Sequence, residues 1–391
     1  MPFAAAISEH PVPATALGEV VGQLLEEIGV GVDLVCFFVT PQHAGALEDM
    51  AAAVQTILDP QVLIGCAAEG VVGPGIEVEH GAAVSMWGGN VGPVESVRLE
   101  VVDAPGGGKA LAGWPIDLDY VPAGAILIGD PFTFPAGALF DVLNRAGGFP
   151  RVTGGMASAA RGPGGNRLVL GDQVYSDGAI GVLIGAGESV WIENIVAQGC
   201  RPIGTPYVVT RCEGNVIYEL GGKPALARLN QMVRTALNDV DMGLAQNGLL
   251  VGLGDEQLVV DEQEQSFASD DFLIRTLLAT DPLAESLTIG DTVSVGTTLQ
   301  FHVRDSEAAS IELETLLADR DADATLLFTS NGRGSKVFEV PSHDAGAIAL
   351  NLESPPTAGF FTTSEFGPMR GANLEHGFSA SLALFTEQSQ R

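Results

Sequence analysis

Apolar residues near the start of the chain are spaced as on one face of a helix. Between residues 17 and 28 they recur at i, i+3, i+4 and i+7, and Gly29 and Gly31 follow the last of them. This spacing lines up apolar side chains along a helix, and glycine is common just past a helix end. The pattern predicts a helix over residues 17–28.

A strand–helix–strand unit comes next. Residues 32–39 form a short apolar run that predicts a buried strand, residues 44–58 return to helical spacing, and residues 62–64 predict a second strand. This order favours a right-handed crossover between parallel strands. Further strands are predicted at residues 81–87, 94–102 and 125–129.

Two parts of the chain repeat one order of elements. A strand runs into a glycine loop at residues 62–70 and again at residues 325–334. A second strand with a polar turn and a third strand then follow, at residues 152–158 and 178–184 in the first part and at residues 358–364 and 377–384 in the second. The match predicts an internal duplication. We expect an α/β fold, with α+β as the alternative, of two related lobes that face each other, each with mixed β-sheets flanked by helices.

The length of 391 residues also favours more than one core. We predict a helical lead-in at residues 1–30, an N-terminal lobe at residues 31–198, a junction at residues 199–224 and a C-terminal lobe at residues 225–391.

The charge balance restricts the partners. With 18 basic and 49 acidic residues the net charge is −31, and such a charge repels nucleic acid and anionic lipid. No apolar run reaches the ~18 residues of a spanning helix, so membrane insertion is not expected. The four cysteines lack CxxC spacing and the six histidines are scattered. We therefore expect reduced thiols, a cytoplasmic location, and neither metal nor cofactor.

Candidate chemistry lies in four glycine motifs beside apolar strands, at residues 65–70, 154–158, 330–334 and 362–368. Glycine lets a ligand approach the backbone closely, and strand-end loops commonly carry sites. The candidate ligand-binding residues are Gly65, Cys66, Glu69, Gly154, Gly155, Ser158, Asn331, Arg333, Ser364 and Glu365.

Each polar candidate has a structural alternative. Glu69 and Glu365 would suit an ammonium group, or each accepts backbone N–H groups of its own turn. Arg333 would suit a carboxylate or phosphate, or it forms a salt bridge to Glu365 or Glu69. Ser158 and Ser364 are candidate hydrogen-bond donors to a ligand, or they cap turns.

Cys66 is the best nucleophile candidate, because it lies in a glycine turn after a strand. No histidine stands in the same motif, and a thiol without a base stays mostly protonated. A buried inert cysteine is therefore the favoured interpretation, and no catalytic residue is assigned.

Several of these motifs, in this order, resemble the FIST family, named for F-box and intracellular signal transduction proteins. The matching segments include residues 63–70, 154–158, 199–204, 219–225, 300–305 and 331–334, and the resemblance spans residues 31–386. Two segments depart from the family pattern. Ser330 stands where a cysteine is frequent before Asn-Gly-Arg-Gly, and Ser364-Glu365-Phe366-Gly367-Pro368 stands where Gly-Glu-Ile-Gly-Pro is frequent.

The resemblance implies a sensory module that binds a small ligand, for instance an amino acid, and signals through a protein partner. We therefore expect a non-catalytic sensor whose ligand lies in a cleft between strand-end loops of the two lobes. One alternative is a protein-interaction adaptor without a small ligand. The other is an enzyme that uses Cys66 or the Glu69 and Glu365 pair.

Overall fold

In a computed structural model of the protein, the described residues are 2–104, 107–146, 150–186, 190–235, 239–246, 248–254 and 271–387. The chain forms two compact units. Unit 1 comprises Met1–Ala197 and Leu313–Arg391, and unit 2 comprises Gln198–Glu312. Unit 2 is therefore inserted in sequence between two parts of unit 1.

The helices and strands follow one another along the chain in this order. Up to residue 197 they are β1 (Phe3–Ser8), α1 (Pro13–Ile28), β2 (Leu34–Val39), α2 (Leu47–Leu58), β3 (Val62–Ala67), β4 (Val71–Gly73), β5 (Ile76–Val78), β6 (Val84–Gly89), β7 (Val94–Asp103), β8 (Lys109–Ala112), β9 (Pro122–Gly129), α3 (Ala136–Ala146), β10 (Arg151–Met156), β11 (Leu168–Leu170), β12 (Gln173–Tyr175), β13 (Ala179–Gly185) and β14 (Val190–Ala197).

The next elements are β15 (Cys200–Glu213), β16 (Val216–Leu220), β17 (Lys223–Pro224), α4 (Ala225–Thr235), α5 (Asp239–Gln246), β18 (Leu249–Gly254), β19 (Leu273–Asp281), β20 (Ser286–Ile289), β21 (Thr298–Arg304) and α6 (Ser306–Leu317). The last are β22 (Ala324–Ser330), α7 (His343–Asn351), β23 (Thr357–Thr362), β24 (Glu365–Met369), β25 (Ala372–His376) and β26 (Ala380–Glu387).

Unit 1 contains three copies of one supersecondary unit, which we call repeat 1 (residues 34–89), repeat 2 (122–185) and repeat 3 (324–387). In each, two parallel strands joined by a helix are followed by a short hairpin and a last strand antiparallel to the first. The helices are α2, α3 and α7. An additional strand, β1, β7 or β14, pairs antiparallel with the last strand of each repeat.

The three hairpins are exchanged around the repeats. The β4–β5 hairpin of repeat 1 pairs with β23 of repeat 3, the β24–β25 hairpin of repeat 3 with β10 of repeat 2, and the β11–β12 hairpin of repeat 2 with β3 of repeat 1. Each of the three mixed sheets in unit 1 is therefore completed by another repeat.

Each repeat has a glycine at the position where the backbones of its two parallel strands approach each other closely. A Cβ atom on Gly65 or Gly154 would lie 1.9 Å from a carbonyl oxygen of the adjacent parallel strand, and on Gly359 the distance would be 1.7 Å. The oxygens belong to Phe37, Leu127 and Leu327, the register partners of the three glycines. No other residue fits there without a backbone shift.

The sheets of unit 1 share one core. Alternate side chains of each sheet point into a common cluster that includes Phe38, Ile126 and Phe328, as the period of two in a strand requires. The opposite faces pack against helices in three outer clusters: α1 and α2 cover one sheet, α3 covers the second, and α7 with the end of α6 covers the third.

Unit 2 has its own seven-stranded sheet, in the order β15, β21, β18, β19, β20, β16 and β17. Its core joins this sheet to α4 through residues such as Leu229, Phe301 and Val303. Its described strand pairs are antiparallel.

The predicted mixed α/β class is confirmed, and so are the first helix and the first crossover. The alignment of the predicted duplication is wrong: residues 62–67 correspond in the structure to β23 and β10, not to β22, because β22 is the first strand of its repeat. The lead-in also contains β1, which the sequence interpretation missed, and which pairs with β6 along six residues.

Candidate functional site

The ten candidate residues all lie in unit 1, near the ends of strands β3, β10, β22 and β23. Residues from both predicted lobes therefore belong to one compact unit. They meet because each exchanged hairpin follows the second parallel strand of its own repeat and pairs with the second parallel strand of another repeat. The amide N–H groups of Ala67, Met156 and Phe361 bond to the carbonyls of Arg167, Ser364 and Gly70, which precede the three hairpins.

Ser158 and Met156 together link three of the four glycine motifs. Its Oγ accepts a 2.8 Å hydrogen bond from the Glu69 N–H and donates to the Phe361 carbonyl. Thr363 N–H bonds in turn to the Met156 carbonyl at 3.2 Å. The side chain of Ser158 is thus used within the protein, as the turn-capping alternative predicts.

Glu69 and Asn331 form an accessible polar surface with two residues that the sequence analysis did not select. Asn331 Nδ2 lies 3.3 Å from Glu69 Oε2, and Lys336 Nζ lies 3.6 Å from Glu69 Oε1. The carboxylate of Glu79 accepts from the N–H and Oγ of Ser335, each at 2.8 Å. We call Glu69, Glu79, Asn331 and Lys336 the polar rim.

Arg333 lies in a buried ion pair. Its guanidinium donates to both carboxylate oxygens of Asp344 at 2.9 and 2.8 Å, and both side chains are 2% exposed. The salt-bridge alternative placed its partner at Glu365 or Glu69. The partner is Asp344, at the start of α7, and the Arg333 charge together with hydrogen bonds from His343 and Thr329 lowers the pKa of Asp344 against its burial.

Glu77 lies beside this ion pair. Burial and the nearby charge of Asp344 raise the pKa of Glu77 to about 8. One of its oxygens accepts from the Ala345 N–H at 2.9 Å. Removal of Arg333 would leave the buried Asp344 carboxylate without its countercharge, which costs about 3–5 kcal/mol.

Glu365 is fully buried. Its carboxylate accepts hydrogen bonds from Thr362 Oγ1 at 2.5 Å, Ser379 N–H at 2.9 Å and Ser379 Oγ at 2.7 Å. Burial outweighs these donors and raises the pKa of Glu365 to about 7. The matching positions of repeats 1 and 2 hold the apolar residues Val71 and Leu168, so repeat 3 alone carries an acid there.

The remaining candidates are also enclosed or used internally. Cys66 points into the shared core with no exposed surface, and burial raises the pKa of its thiol well above the usual value. Ser364 Oγ donates to Glu375 at 2.6 Å. The backbones of Gly65 and Gly154 pack against adjacent strands, and Gly155 packs against Thr362.

The four glycine motifs lie close together in unit 1, and Asp344, Glu79 and Lys336, which were not among the sequence-derived candidates, lie beside them. Asp344 stands eleven positions after Arg333, and an acid in the first turn of a helix was the signal that could have identified it. Lys336 was one of three lysines in a very acidic chain, a scarcity that could have pointed to it.

Two general features bear on the class of protein. Within the described residues, no three His, Cys, Asp or Glu side chains are grouped so that they could hold a metal ion. None of the helices in the described ranges combines the length and hydrophobicity that crossing a bilayer needs.

Comparisons with known proteins agree with this picture. The FIST N domain model matches residues 33–223 and the FIST C domain model matches residues 225–368. An uncharacterised protein of Mycobacterium tuberculosis is 38% identical over 388 residues, covering 97% of this chain and 98% of that protein. An uncharacterised protein of Mycobacterium bovis is 37% identical over 380 residues, covering 95% of each.

Three repeats with exchanged hairpins and converging polar loops define a mixed α/β protein. The chain belongs to the FIST family. FIST domains are in general sensory, ligand-binding domains of signalling proteins and are not known as enzymes.

Proposed function

We propose that this protein is a non-catalytic sensor that binds a small zwitterionic metabolite, of the amino-acid type, at the polar rim and signals through a protein partner. The observation that carries the proposal is the convergence of the glycine motifs, which leaves carboxylates and a lysine accessible at one place.

The polar rim offers both charges that a zwitterion needs. Glu69 and Lys336 face each other at 3.6 Å, and their side chains are 48% and 55% exposed. An exposed ion pair of this kind contributes at most about 1 kcal/mol. Lys336 Nζ also donates to the Asn331 carbonyl at 2.5 Å. A ligand can replace the Glu69 contact alone, with its ammonium group at Glu69 and its carboxylate at another N–H of Lys336.

The buried candidates have a supporting role in this proposal. Arg333 and Asp344 hold the segment between β22 and α7, and Glu365 holds the start of β24 to Ser379. They are positioning residues because neither Arg333 nor Glu365 has surface that a ligand could reach. Lys336 takes over the part that the sequence analysis gave to Arg333.

The absence of catalysis is part of the proposal. Cys66 is enclosed in the core and its thiol pKa is raised, so it is held as a protonated thiol rather than as a nucleophile. We expect iodoacetamide near neutral pH to label Cys66 only after the protein unfolds. Rapid labelling of the native protein would favour the enzyme alternative.

The proposal is tested by a thermal-shift and calorimetric screen of the full chain against amino acids, simple amines and simple carboxylates. A ligand at 100 times its Kd stabilises the native state by about 2.7 kcal/mol. We expect amino acids to raise Tm, and E69Q to abolish the shift because a neutral amide does not compensate an ammonium charge.

E26Q is the matched control, because Glu26 is an exposed glutamate on α1, outside the polar rim. It should respond like the unmodified protein. A shift of equal size in E69Q would remove Glu69 from the site. No response to any zwitterion or amine would overturn the sensor proposal and favour the adaptor, for which a stable protein partner in pull-downs is the expected finding.

A further inference from the structure

The three repeats of unit 1 differ in how the outer faces of their sheets are covered. The connection that enters repeat 1 contains α1, and Leu17, Val20 and Leu24 of that helix pack on the first sheet. The connection that enters repeat 3 ends with α6, and its Leu313 and Leu317 pack on the third sheet. Helix α1 packs beside α2, and α6 and α7 contribute to the same outer cluster on the third sheet.

The described residues of the connection that enters repeat 2, 104 and 107–121, do not form a helix. Residues 113–121, between β8 and β9, are described and are extended or bent. Leu111, Trp114 and Leu118 are only partly buried against the cluster beneath them. The position that α1 and α6 fill on the other two sheets is therefore covered incompletely on this one.

A cavity of about 670 Å³ lies at this position. Its walls come from β7, β8, residues 114–122 and α3, and they include Leu99, Leu111, Trp114, Leu118, Leu139 and Leu143. Pockets for small molecules have volumes of about 300–1,000 Å³ and mostly apolar walls. Both the size and the lining of this cavity fall within that class.

The polar groups in the lining are few. The Tyr120 hydroxyl is directed to the Leu183 carbonyl at 3.3 Å, so it is used inside the protein. Lys109 is the only charged residue among those that line the cavity. It pairs with Asp103 at 2.6 Å, and the two side chains are 67% and 85% exposed. Like the ion pair at the polar rim, this exposed pair contributes little free energy, so a ligand can displace it.

The rim of the cavity is apolar and open to solvent. Ile116 is 86% exposed and Val142 is 60% exposed, and both belong to the lining. A polar solute that entered would lose water without new hydrogen bonds, which is unfavourable. A hydrocarbon chain would gain from burial at about 25 cal/mol per Å² of apolar surface.

We propose that this cavity is a second ligand site, distinct from the polar rim, which binds an aliphatic carboxylate with the chain in the place of the missing helix and the carboxylate at Lys109. Free fatty acids and isoprenoid acids share this chemistry. The acyl chain supplies the apolar surface that α1 and α6 supply to the other two sheets.

The test uses the full-length protein and palmitate, with binding measured by displacement of a dansylated fatty acid and by calorimetry. We expect one palmitate per chain. A138F should weaken binding at least tenfold, because Ala138 lines the cavity and is exposed on α3, so that a phenyl ring there occupies ligand space. A52F, at an exposed alanine of the corresponding helix α2, is the matched control and should bind as the unmodified protein does.

The headgroup is tested separately with K109Q and with hexadecanol. We expect K109Q to weaken palmitate binding about two- to fivefold, the effect of an exposed ion pair, and to leave hexadecanol binding unchanged. Equal binding of both ligands by both proteins would overturn the assignment of a carboxylate.

No binding of palmitate, or unchanged binding in A138F, would overturn the site itself. Near-UV circular dichroism verifies that A138F is folded. I116D provides a second test if it is not, because it changes only an exposed residue of the rim. A new negative charge there should weaken palmitate binding, and unchanged binding in a folded I116D would count against the site.

Discussion

Gly65, Gly154 and Gly359 each stand where the backbone of a parallel neighbour comes closest. We expect Gly154→Ala to destabilise unit 1 by about 1–3 kcal/mol, as overpacking commonly does, because the new Cβ would lie 1.9 Å from the Leu127 carbonyl oxygen. The measurement is the midpoint of urea unfolding followed by far-UV circular dichroism.

Gly137→Ala is the control for this substitution. Gly137 is an exposed residue of α3 with nothing within 4 Å of the added carbon. Gly137 is the second residue of α3, so the preference for alanine over glycine, about 0.5–1 kcal/mol in a helix interior, is smaller there, and this variant should be as stable as the unmodified protein or slightly more so. A Gly154→Ala protein as stable as Gly137→Ala would show that the strands can separate at no cost.

The buried carboxyl group of Glu365 predicts a dependence of stability on pH. Its pKa is raised from the usual 4.5 to about 7 because burial disfavours the charged form. A group with a raised pKa holds its proton more tightly in the folded chain, so its contribution is fully present below pH 4.5 and is lost as the pH rises to about 7. The loss amounts to about 3 kcal/mol.

E365Q isolates this contribution from that of Glu77, whose pKa is also raised. The glutamine can still accept from Ser379, and its amide can donate to Thr362 Oγ1, which then turns to the Thr329 carbonyl at 3.3 Å. Urea unfolding at pH 5 and pH 8 should show a smaller loss of stability in E365Q than in the unmodified protein. The same loss in both would mean that Glu365 does not titrate in this range.

At the scale of elements, the sequence predicted the strands and helices whose patterns depend on residues that are close together in the chain. The apolar runs at β2 and β3 and the helical spacing between them predicted the first crossover. β1 was missed because its sequence, Phe-Ala-Ala-Ala-Ile-Ser, is apolar at five successive positions. It therefore has no apolar–polar alternation that would distinguish a strand.

The pairing of the hairpins was beyond such reasoning. The β4–β5 hairpin follows β3 in sequence, yet Val71 pairs with Phe360 in another repeat. No pattern within the hairpin states which sheet edge it joins. The alignment of the repeats was wrong for a related reason: β22 and β3 both run into glycine loops, although one opens its repeat and the other is its second strand.

For the candidate site too, the sequence indicated local features but not the contacts between distant residues. The glycine motifs identified the loops that converge, since glycine is required where backbones approach closely. The roles of individual side chains were not fixed by the motifs, because Arg333 looks the same in sequence whether it faces solvent or Asp344. Only burial distinguishes the accessible Glu69 from the enclosed Glu365.

At the scale of the whole molecule, the exchanged hairpins connect the three repeats of unit 1, so we expect unit 1 to unfold as a single cooperative body. The segment 1–197 alone would keep the β4–β5 hairpin but lose β23, and would keep β10 but lose the β24–β25 hairpin. We expect this fragment to lack stable tertiary structure. Near-UV circular dichroism and urea unfolding of the fragment measure this.

The control for this fragment is the full chain, measured by the same two methods under the same conditions. A sharp unfolding transition of the fragment would contradict the expectation. It would instead support the N-terminal lobe, residues 31–198, as a domain that folds independently.

The exchanged hairpins also have a consequence for how such a chain could arise. A peptide that carried one repeat alone would have a hairpin without a sheet edge to receive it and a sheet edge without a hairpin. A dimer in which two copies exchanged hairpins with each other would have a different geometry. Here each repeat donates its hairpin to one neighbour and accepts a hairpin from the other. A free repeat that kept this geometry would form a closed ring of three identical chains. The present protein corresponds to such a trimer whose three repeats are joined in a single polypeptide.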